Sequence, residues 1–148
     1  MTILCLDVGD RRIGLAVSDP SNLLAIPLGA IRRTRRESDI DAVIRHATER
    51  NADRLAVGMP LSLNGRVGPQ ARKVNSFIQA LGRRTSLPIH RVDERFSTAE
   101  AERRLRQAGV EPSRERERVD AAAAAVILQE YLDGLKAAER AEQGSQQP

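Results

Sequence analysis

An acidic residue, Asp7, stands inside an apolar run that is typical of a buried strand, Leu4-Cys5-Leu6-Asp7-Val8. Removing water from an unpaired carboxylate is costly, so a buried carboxylate is protonated, paired with a cation or bound to a metal ion. Asp7 is therefore the first candidate for chemistry in this chain. Its immediate neighbours in sequence leave all three states open.

Two further carboxylates are candidates to meet Asp7. Glu94 ends a predicted strand, and Asp93 beside it must point to the opposite face of that strand. Asp120 shares a predicted helix face with Ile127, so it projects from the side that should pack on a sheet. Each also has an ordinary explanation, because a strand can leave the core through acidic residues and an acid near a helix start complements the helix dipole.

Taken together, the three carboxylates predict a metal centre. Crowded carboxylates raise one another's pKa unless a cation is present, and a hard divalent ion such as Mg²⁺ or Mn²⁺ prefers oxygen ligands. The predicted ligands are Asp7, Glu94 and Asp120. Such a centre suits phosphoryl chemistry, in which bound metal activates the attacking water and stabilises the leaving oxygen.

The elements that must position these acids follow from hydrophobic pattern and turn residues. Strands are predicted at residues 3–8, 13–18, 23–31, 55–57 and 89–94. Helices are predicted from Ser38 or Asp39, over 69–81, from Ser97 to about Gly109, and from Pro112 to about Leu135. Pro27 favours an edge position for the third strand. The pattern indicates an α/β domain with a mixed sheet and helices on its faces, over residues 1–136, followed by a flexible tail over 137–148.

Composition restricts the function further. The 148 residues include 24 Lys and Arg against 20 Asp and Glu, and several arginines occur in pairs such as Arg32-Arg33. This charge pattern is equally compatible with a polyanionic partner and with an arginine-rich surface that is only solvated. Aromatic residues make up 2% of the chain, which argues against binding single strands by base stacking. The single cysteine, Cys5, and the lack of a leader or spanning segment predict a cytoplasmic protein that does not contact a membrane.

Four blocks of sequence, in order, resemble the YqgF (RuvX) family. They are residues 7–14 (DVGDRRIG), 58–68 (GMPLSLNGRVG), 93–100 (DERFSTAE) and 119–125 (VDAAAAA). The resemblance runs from Ile3 to about Leu135. It implies an RNase H-like fold with a five-stranded sheet in the order 3-2-1-4-5, and a metal-dependent endonuclease that matures the 5′ end of 16S ribosomal RNA. Some members of the family are instead described as Holliday junction resolvases.

The resemblance carries Asp7, Glu94 and Asp120 over as the catalytic acids. Arg12, Arg95 and Thr98 also fall on motif positions, and a phosphate-binding role for them is a hypothesis. Two departures from related nucleases are Met59-Pro60, where a carboxylate often ends the fourth strand, and Ala123, where resolvases often have a further Asp. Glu94 must therefore lean over Gly58 from a strand about 10 Å from the first strand. One tightly bound ion is expected rather than two.

Two other function classes compete with a nuclease. The Asp-x-Gly start followed by a hairpin is also typical of actin-like ATP-binding domains, although those pair two such domains and this chain has room for one. A non-catalytic nucleic-acid or ribosome-binding protein is the other alternative. Expected partners are pre-rRNA, branched or single-stranded DNA and ribosomal precursor particles, bound by a monomer or weak homodimer, and the sequence leaves RNA and DNA both open.

Overall fold

The computed structural model describes residues 1–61, 65–94, 97–112 and 115–146, and the side chains of Ser97, Thr98, Ser145 and Gln146 lie outside that description. The strands are β1 Ile3–Val8, β2 Arg12–Ser18, β3 Ala25–Arg32, β4 Arg54–Met59 and β5 Ile89–Asp93. The helices are α1 Arg36–Glu49, α2 Pro69–Gly82, α3 Ser97–Gln107 and α4 Arg116–Gln146. In the described part of the chain, no helix is both long enough and apolar enough to cross a membrane.

The five strands form one mixed sheet in the order β3-β2-β1-β4-β5, as predicted. β1 pairs antiparallel with β2 and parallel with β4, so the carboxyl ends of β1, β4 and β5 meet at one edge of the sheet. β3 is the edge strand, which confirms the position predicted from Pro27. A register shift between Leu15 and Ala16 accommodates the irregular pairing with this strand.

Alternation along β1 divides the core into two layers. Leu4, Leu6 and Val8 pack on the side of the sheet covered by α1 and α2, where Phe77 is also buried. The opposite face packs on α4 through residues that are mostly small or aliphatic: Ile3, Cys5, Ala16, Ala56, Ala124, Ile127, Leu128 and Leu132. Asp7 continues the Ile3-Cys5 series and therefore faces α4.

The first helix begins earlier than predicted, and its predicted cap is wrong. α1 starts at Arg36 with Arg35 at the N-cap position, and no side chain caps it. Asp39 instead lies in the first turn, where its carboxylate accepts hydrogen bonds from the backbone N–H of Thr34 and from Nε of Arg33. The acid therefore organises the chain that precedes the helix rather than the helix end.

The last helix is longer than predicted. α4 continues to Gln146, through most of the segment predicted as a flexible tail, because residues 136–142 are good helix formers. From Ala137 to Gly144 the helix is exposed, so it adds no core. The boundary between domain and tail at residue 136 stays a prediction.

Candidate active site

Asp7 lies at the carboxyl end of β1, opposite Gly14 of β2 in the strand register. A Cβ atom at Gly14 would lie 2.1 Å from the backbone oxygen of Asp120 and 3.1 Å from its Cβ. The backbone of α4 therefore crosses directly over Gly14, at a distance that only glycine allows. This close crossing brings Asp120 beside Asp7.

Glu94 follows β5 on the same face of the sheet as Val92, which packs with the α4 layer. Its backbone N–H donates to the carbonyl oxygen of Met59 at 3.1 Å, which holds the end of β5 beside the end of β4. A Cβ atom at Gly58 would lie 2.8 Å from Oε2 of Glu94. The glutamate thus extends across Gly58, as expected from the sequence, and its carboxyl group hydrogen-bonds to that of Asp7.

Burial raises the pKa of Asp7 above its ordinary value. The hydrogen bond with Glu94 opposes this effect, whereas the negative charge of Asp120 adds to it. Burial also raises the pKa of the Cys5 thiol, and Asp7 and Glu94 raise it further, so Cys5 is a neutral packing residue beneath the acids. The pKa of Asp7 is therefore set by its burial and by the two neighbouring carboxyl groups.

Asp120 is held by an arginine in this structure. Its Oδ2 accepts a hydrogen bond from Nε of Arg12 at 2.5 Å, and both side chains are about three-quarters buried. Arg12 is the residue for which a phosphate-binding role was hypothesised. The structure places it at the site, with a carboxylate where a phosphate was expected.

Asp7, Glu94 and Asp120 are the candidate ligands of a metal ion. Among the residues that the structure describes, no three Asp, Glu, His or Cys side chains are grouped so as to hold a metal ion. Asp7 and Glu94 nevertheless meet directly, and Asp120 is near enough to raise the pKa of Asp7 while it is engaged by Arg12. The donors are all carboxylate oxygens, so their chemistry fits a hard divalent cation.

Arg33 and Asp39 stabilise the turn that joins two of the site residues, a role that sequence reasoning missed. Nε of Arg33 donates to Oδ2 of Asp39 at 3.0 Å, and Nη1 donates to the carbonyl oxygen of Gly9 at 2.8 Å. The backbone N–H of Arg33 also donates to the carbonyl oxygen of Arg11. These contacts fix the turn that joins Asp7 to Arg12. The sequence feature that could have indicated this role is Asp39, which follows the pair Arg32-Arg33 closely, but the same feature is equally typical of a helix cap.

Arg95 lies outside the described residues, and Thr98 lies on α3 with its side chain outside the description. Asp93 lines a cavity on the α2 side together with Arg91, away from Asp7. Asp19 follows the far end of β2, where it accepts hydrogen bonds from the backbone N–H groups of residues 21, 23 and 24 and its pKa is lowered to about 2.

Comparison with known families gives one match over most of the chain. The model of the RuvX family, described as a Holliday junction resolvase family, matches residues 1–134. A protein of Synechococcus sp. (strain JA-3-3Ab) is 48% identical over 130 residues, which cover 88% of this chain and 82% of that protein. A protein of Desulforamulus reducens is 45% identical over 133 residues, covering 90% and 97%. Both carry the name "Putative pre-16S rRNA nuclease".

Two solved structures that share this fold are Holliday junction resolvases. RuvC of T. thermophilus, in complex with a Holliday junction substrate, superposes with a TM-score of 0.61 at 15% identity, covering 93% of this chain and 96% of that one. The Fowlpox virus resolvase, in complex with Holliday junction DNA, superposes with a TM-score of 0.59 at 14% identity, covering 91% and 99%. The fold is therefore the RNase H-like fold of the RuvC-type resolvases.

Proposed function

Because this chain belongs to the RuvX family, a family of nucleases that hydrolyse phosphodiester bonds, we propose that it is a metal-dependent endonuclease that processes the 5′ end of the 16S rRNA precursor. The observation that carries this proposal is the contact between Asp7 and Glu94 across Gly58. Two acids meet there at the edge of the sheet, with a third, Asp120, close by. A carboxylate cluster of this kind has a clear use in phosphoryl hydrolysis and costs stability when it stands alone.

Asp7 and Glu94 would hold a divalent cation, Mg²⁺ or Mn²⁺, and Asp120 would complete the set. Such an ion, when bound, lowers the pKa of a water ligand and neutralises charge on the phosphate oxygens. Asp7 and Glu94 would hold the ion in their ionised forms, and their remaining oxygens would orient the attacking water. The product is expected to carry a 5′-phosphate.

Arg12 is proposed to bind the phosphate next to the cleaved bond. Its guanidinium already lies at the site and is satisfied by Asp120. A phosphate presents the same paired oxygens to an arginine, so a substrate phosphate could replace Asp120 at the guanidinium. Asp120 would then be free to help hold the cation. The roles of Arg95 and Thr98 as further phosphate contacts remain predictions.

Cleavage of branched DNA is the second candidate function. The observations that favour it are the description of the family as junction resolvases and the fold shared with proteins solved on Holliday junctions. The names of the close relatives favour ribosomal RNA, so RNA processing is the first proposal. We expect the protein to act in the cytoplasm on free or ribosome-associated precursor.

A direct test offers the purified protein a 5′-extended 16S rRNA fragment, single-stranded DNA and a four-way DNA junction, each with Mg²⁺ and with Mn²⁺. Asp7→Asn and Glu94→Gln should each lower cleavage by about 10³-fold, because several kcal/mol of transition-state stabilisation are lost with the cation. Asp10→Asn is the matched control, since Asp10 is an exposed acid paired only loosely with Lys73 at 3.5 Å. Faster cleavage of the junction than of the RNA would favour the second candidate, and undiminished cleavage by Asp7→Asn would overturn both.

A further inference from the structure

A cleft of about 470 Å³ opens beside the candidate active site, between the end of β3 and the start of α4. We call it the arginine cleft; its lining residues are Arg12, Arg32, Glu115, Arg116, Glu117 and Arg118. Four positive side chains against two negative ones leave the cleft positive. It adjoins the acids because Arg12 both lines it and binds Asp120.

We propose that the arginine cleft binds the phosphate backbone of the substrate strand on one side of the cleaved bond. The inference rests on the proposed nuclease function and adds a direction to it: the strand leaves the acids past Arg12 and runs toward Arg116 and Arg118.

The arginines of the cleft are available to a phosphate. Arg32, Arg116 and Arg118 are all exposed. Arg32 lies 4.0 Å from Glu117, and Arg118 lies 3.7 Å from Glu115, so both ion pairs are long. Within the described part of the chain, Arg116 has no carboxylate within 4.0 Å. Long pairs between exposed groups are weak and are readily exchanged for a phosphate, which accepts two hydrogen bonds from one guanidinium.

The chemistry of the lining favours the backbone over the bases. Among the residues that the structure describes, no aromatic side chain lines the cleft, so these residues offer no platform for base stacking. Guanidinium groups bind phosphates whatever the base sequence, and such contacts position a nucleic acid without reading it. The cleft therefore sets the register of the strand at the acids rather than the identity of the bases cleaved.

The test measures binding of a short single-stranded RNA in the Asp7→Asn background without divalent metal, so that no cleavage interferes. The triple variant Arg32→Gln, Arg116→Gln, Arg118→Gln should weaken binding about 10-fold or more at low salt. The slope of log Kd against log salt should fall by about 2, because each lost phosphate contact on a single strand removes about 0.7. In the protein with Asp7 intact, kcat/KM for RNA cleavage should fall in parallel with the affinity.

A matched control separates the cleft from net charge. Arg45, Arg72 and Arg83 are exposed on α1 or at either end of α2, on the other side of the sheet. Replacing these three by Gln removes the same charge and should change the salt slope by less than half as much. Equal losses in the two triple variants would overturn the proposal, because they would show a general effect of charge.

A gain of affinity supplies a second test that misfolding cannot imitate. Glu117→Gln removes a negative charge from the cleft and frees Arg32, so RNA should bind a few-fold more tightly at low salt. Unchanged or weaker binding by this variant would contradict the proposal. If the protein binds RNA through the cleft but cleaves none of the substrates, the proposed nuclease function is wrong and the cleft is still an RNA-binding site. If the protein cleaves RNA and the cleft variants bind RNA normally, the nuclease function is supported and the proposed role of the cleft is wrong.

Discussion

Burial and the nearby charge of Asp120 raise the pKa of Asp7, so the folded protein holds a proton on this carboxyl more tightly than the unfolded chain does. The favourable contribution of Asp7 to the free energy of unfolding is therefore fully present below its unfolded pKa of about 3.8. This contribution is lost as the pH rises through the higher pKa that Asp7 has in the folded protein. At neutral pH and without a cation, Asp7 lowers the free energy of unfolding.

The raised pKa of Asp7 predicts how the substitution Asp7→Asn changes the stability of the protein. Without divalent metal, the variant should be more stable than the wild type at pH 7, and the difference should shrink as the pH falls toward 3.8. Mg²⁺ should stabilise the wild type by about 1.4 kcal/mol when its free concentration is ten times Kd, and should leave the variant unchanged. Urea unfolding between pH 4 and pH 8, with and without Mg²⁺, measures both effects. A variant less stable than the wild type at pH 7 would show that Asp7 is a structural hydrogen-bonding group instead.

At this scale the sequence predicts which acids lie close together but not how they are paired. Asp7 could be identified because a carboxylate in an apolar strand needs a partner, and strand alternation reduced Asp93 and Glu94 to one candidate. The ion pair between Arg12 and Asp120 could not be found in the same way, since it joins residues 108 positions apart. Only the crossing of α4 over β2 brings them together.

Two glycines let the elements approach closely enough to form the site. At Gly14 an added Cβ would meet the backbone of Asp120, which cannot move without shifting α4. At Gly58 an added Cβ would meet Cδ1 of Ile127 at 2.7 Å and the carboxyl end of Glu94, both of which are ends of flexible side chains. The same substitution should therefore have different effects at the two positions.

Gly14→Ala should lower the free energy of unfolding by about 3 kcal/mol or more, because a packed helix has to move. Gly58→Ala should cost about 1 kcal/mol in stability but should lower cleavage by at least about tenfold, because Glu94 is displaced from Asp7. Chemical denaturation and cleavage rates of the two variants test this contrast. Gly68→Ala is the control, since an added Cβ there has no described atom within 4 Å apart from those of Gly68 and its two chain neighbours. Normal cleavage by Gly58→Ala would mean that the observed position of Glu94 is not the catalytic one.

The order of the elements could be predicted from sequence, whereas their ends depended on tertiary contacts. β1 has the predicted bounds because Asp7 does not interrupt the alternation of its neighbours. α1 begins before its predicted cap because the carboxylate of Asp39 is used by Arg33 and Thr34. Pairing across the sheet extends β4 to Arg54–Met59, beyond the short apolar core at 55–57. The partner that determined the boundary was local for α1 and distant in sequence for β4, and the hydrophobic pattern indicates neither partner.

For the molecule as a whole, the two faces of the sheet carry different kinds of residues. The α1 and α2 side holds the larger apolar core, and the α4 side carries the acids together with a smaller core of alanine and aliphatic residues. α4 therefore has to be positioned accurately. Its Gln129 accepts a hydrogen bond from the backbone N–H of Ala25 and donates one to the carbonyl oxygen of Leu23, which ties the helix to the start of β3.

The position of α4 predicts where the chain can be shortened. Leu132 is buried and Leu135 packs partly against the same core, whereas the helix from Ala137 to Gly144 is exposed. Deleting residues 137–148 should change the free energy of unfolding by no more than about 0.5 kcal/mol and leave the cleavage rate within about twofold of the full chain. Deleting residues 129–148 removes Gln129 and Leu132 as well, and should cost several kcal/mol, as core truncations do. Urea unfolding and cleavage assays of the two truncated chains measure these effects. If the shorter deletion keeps its stability but loses most of its cleavage activity, part of the substrate-binding surface lies on the last turns of α4.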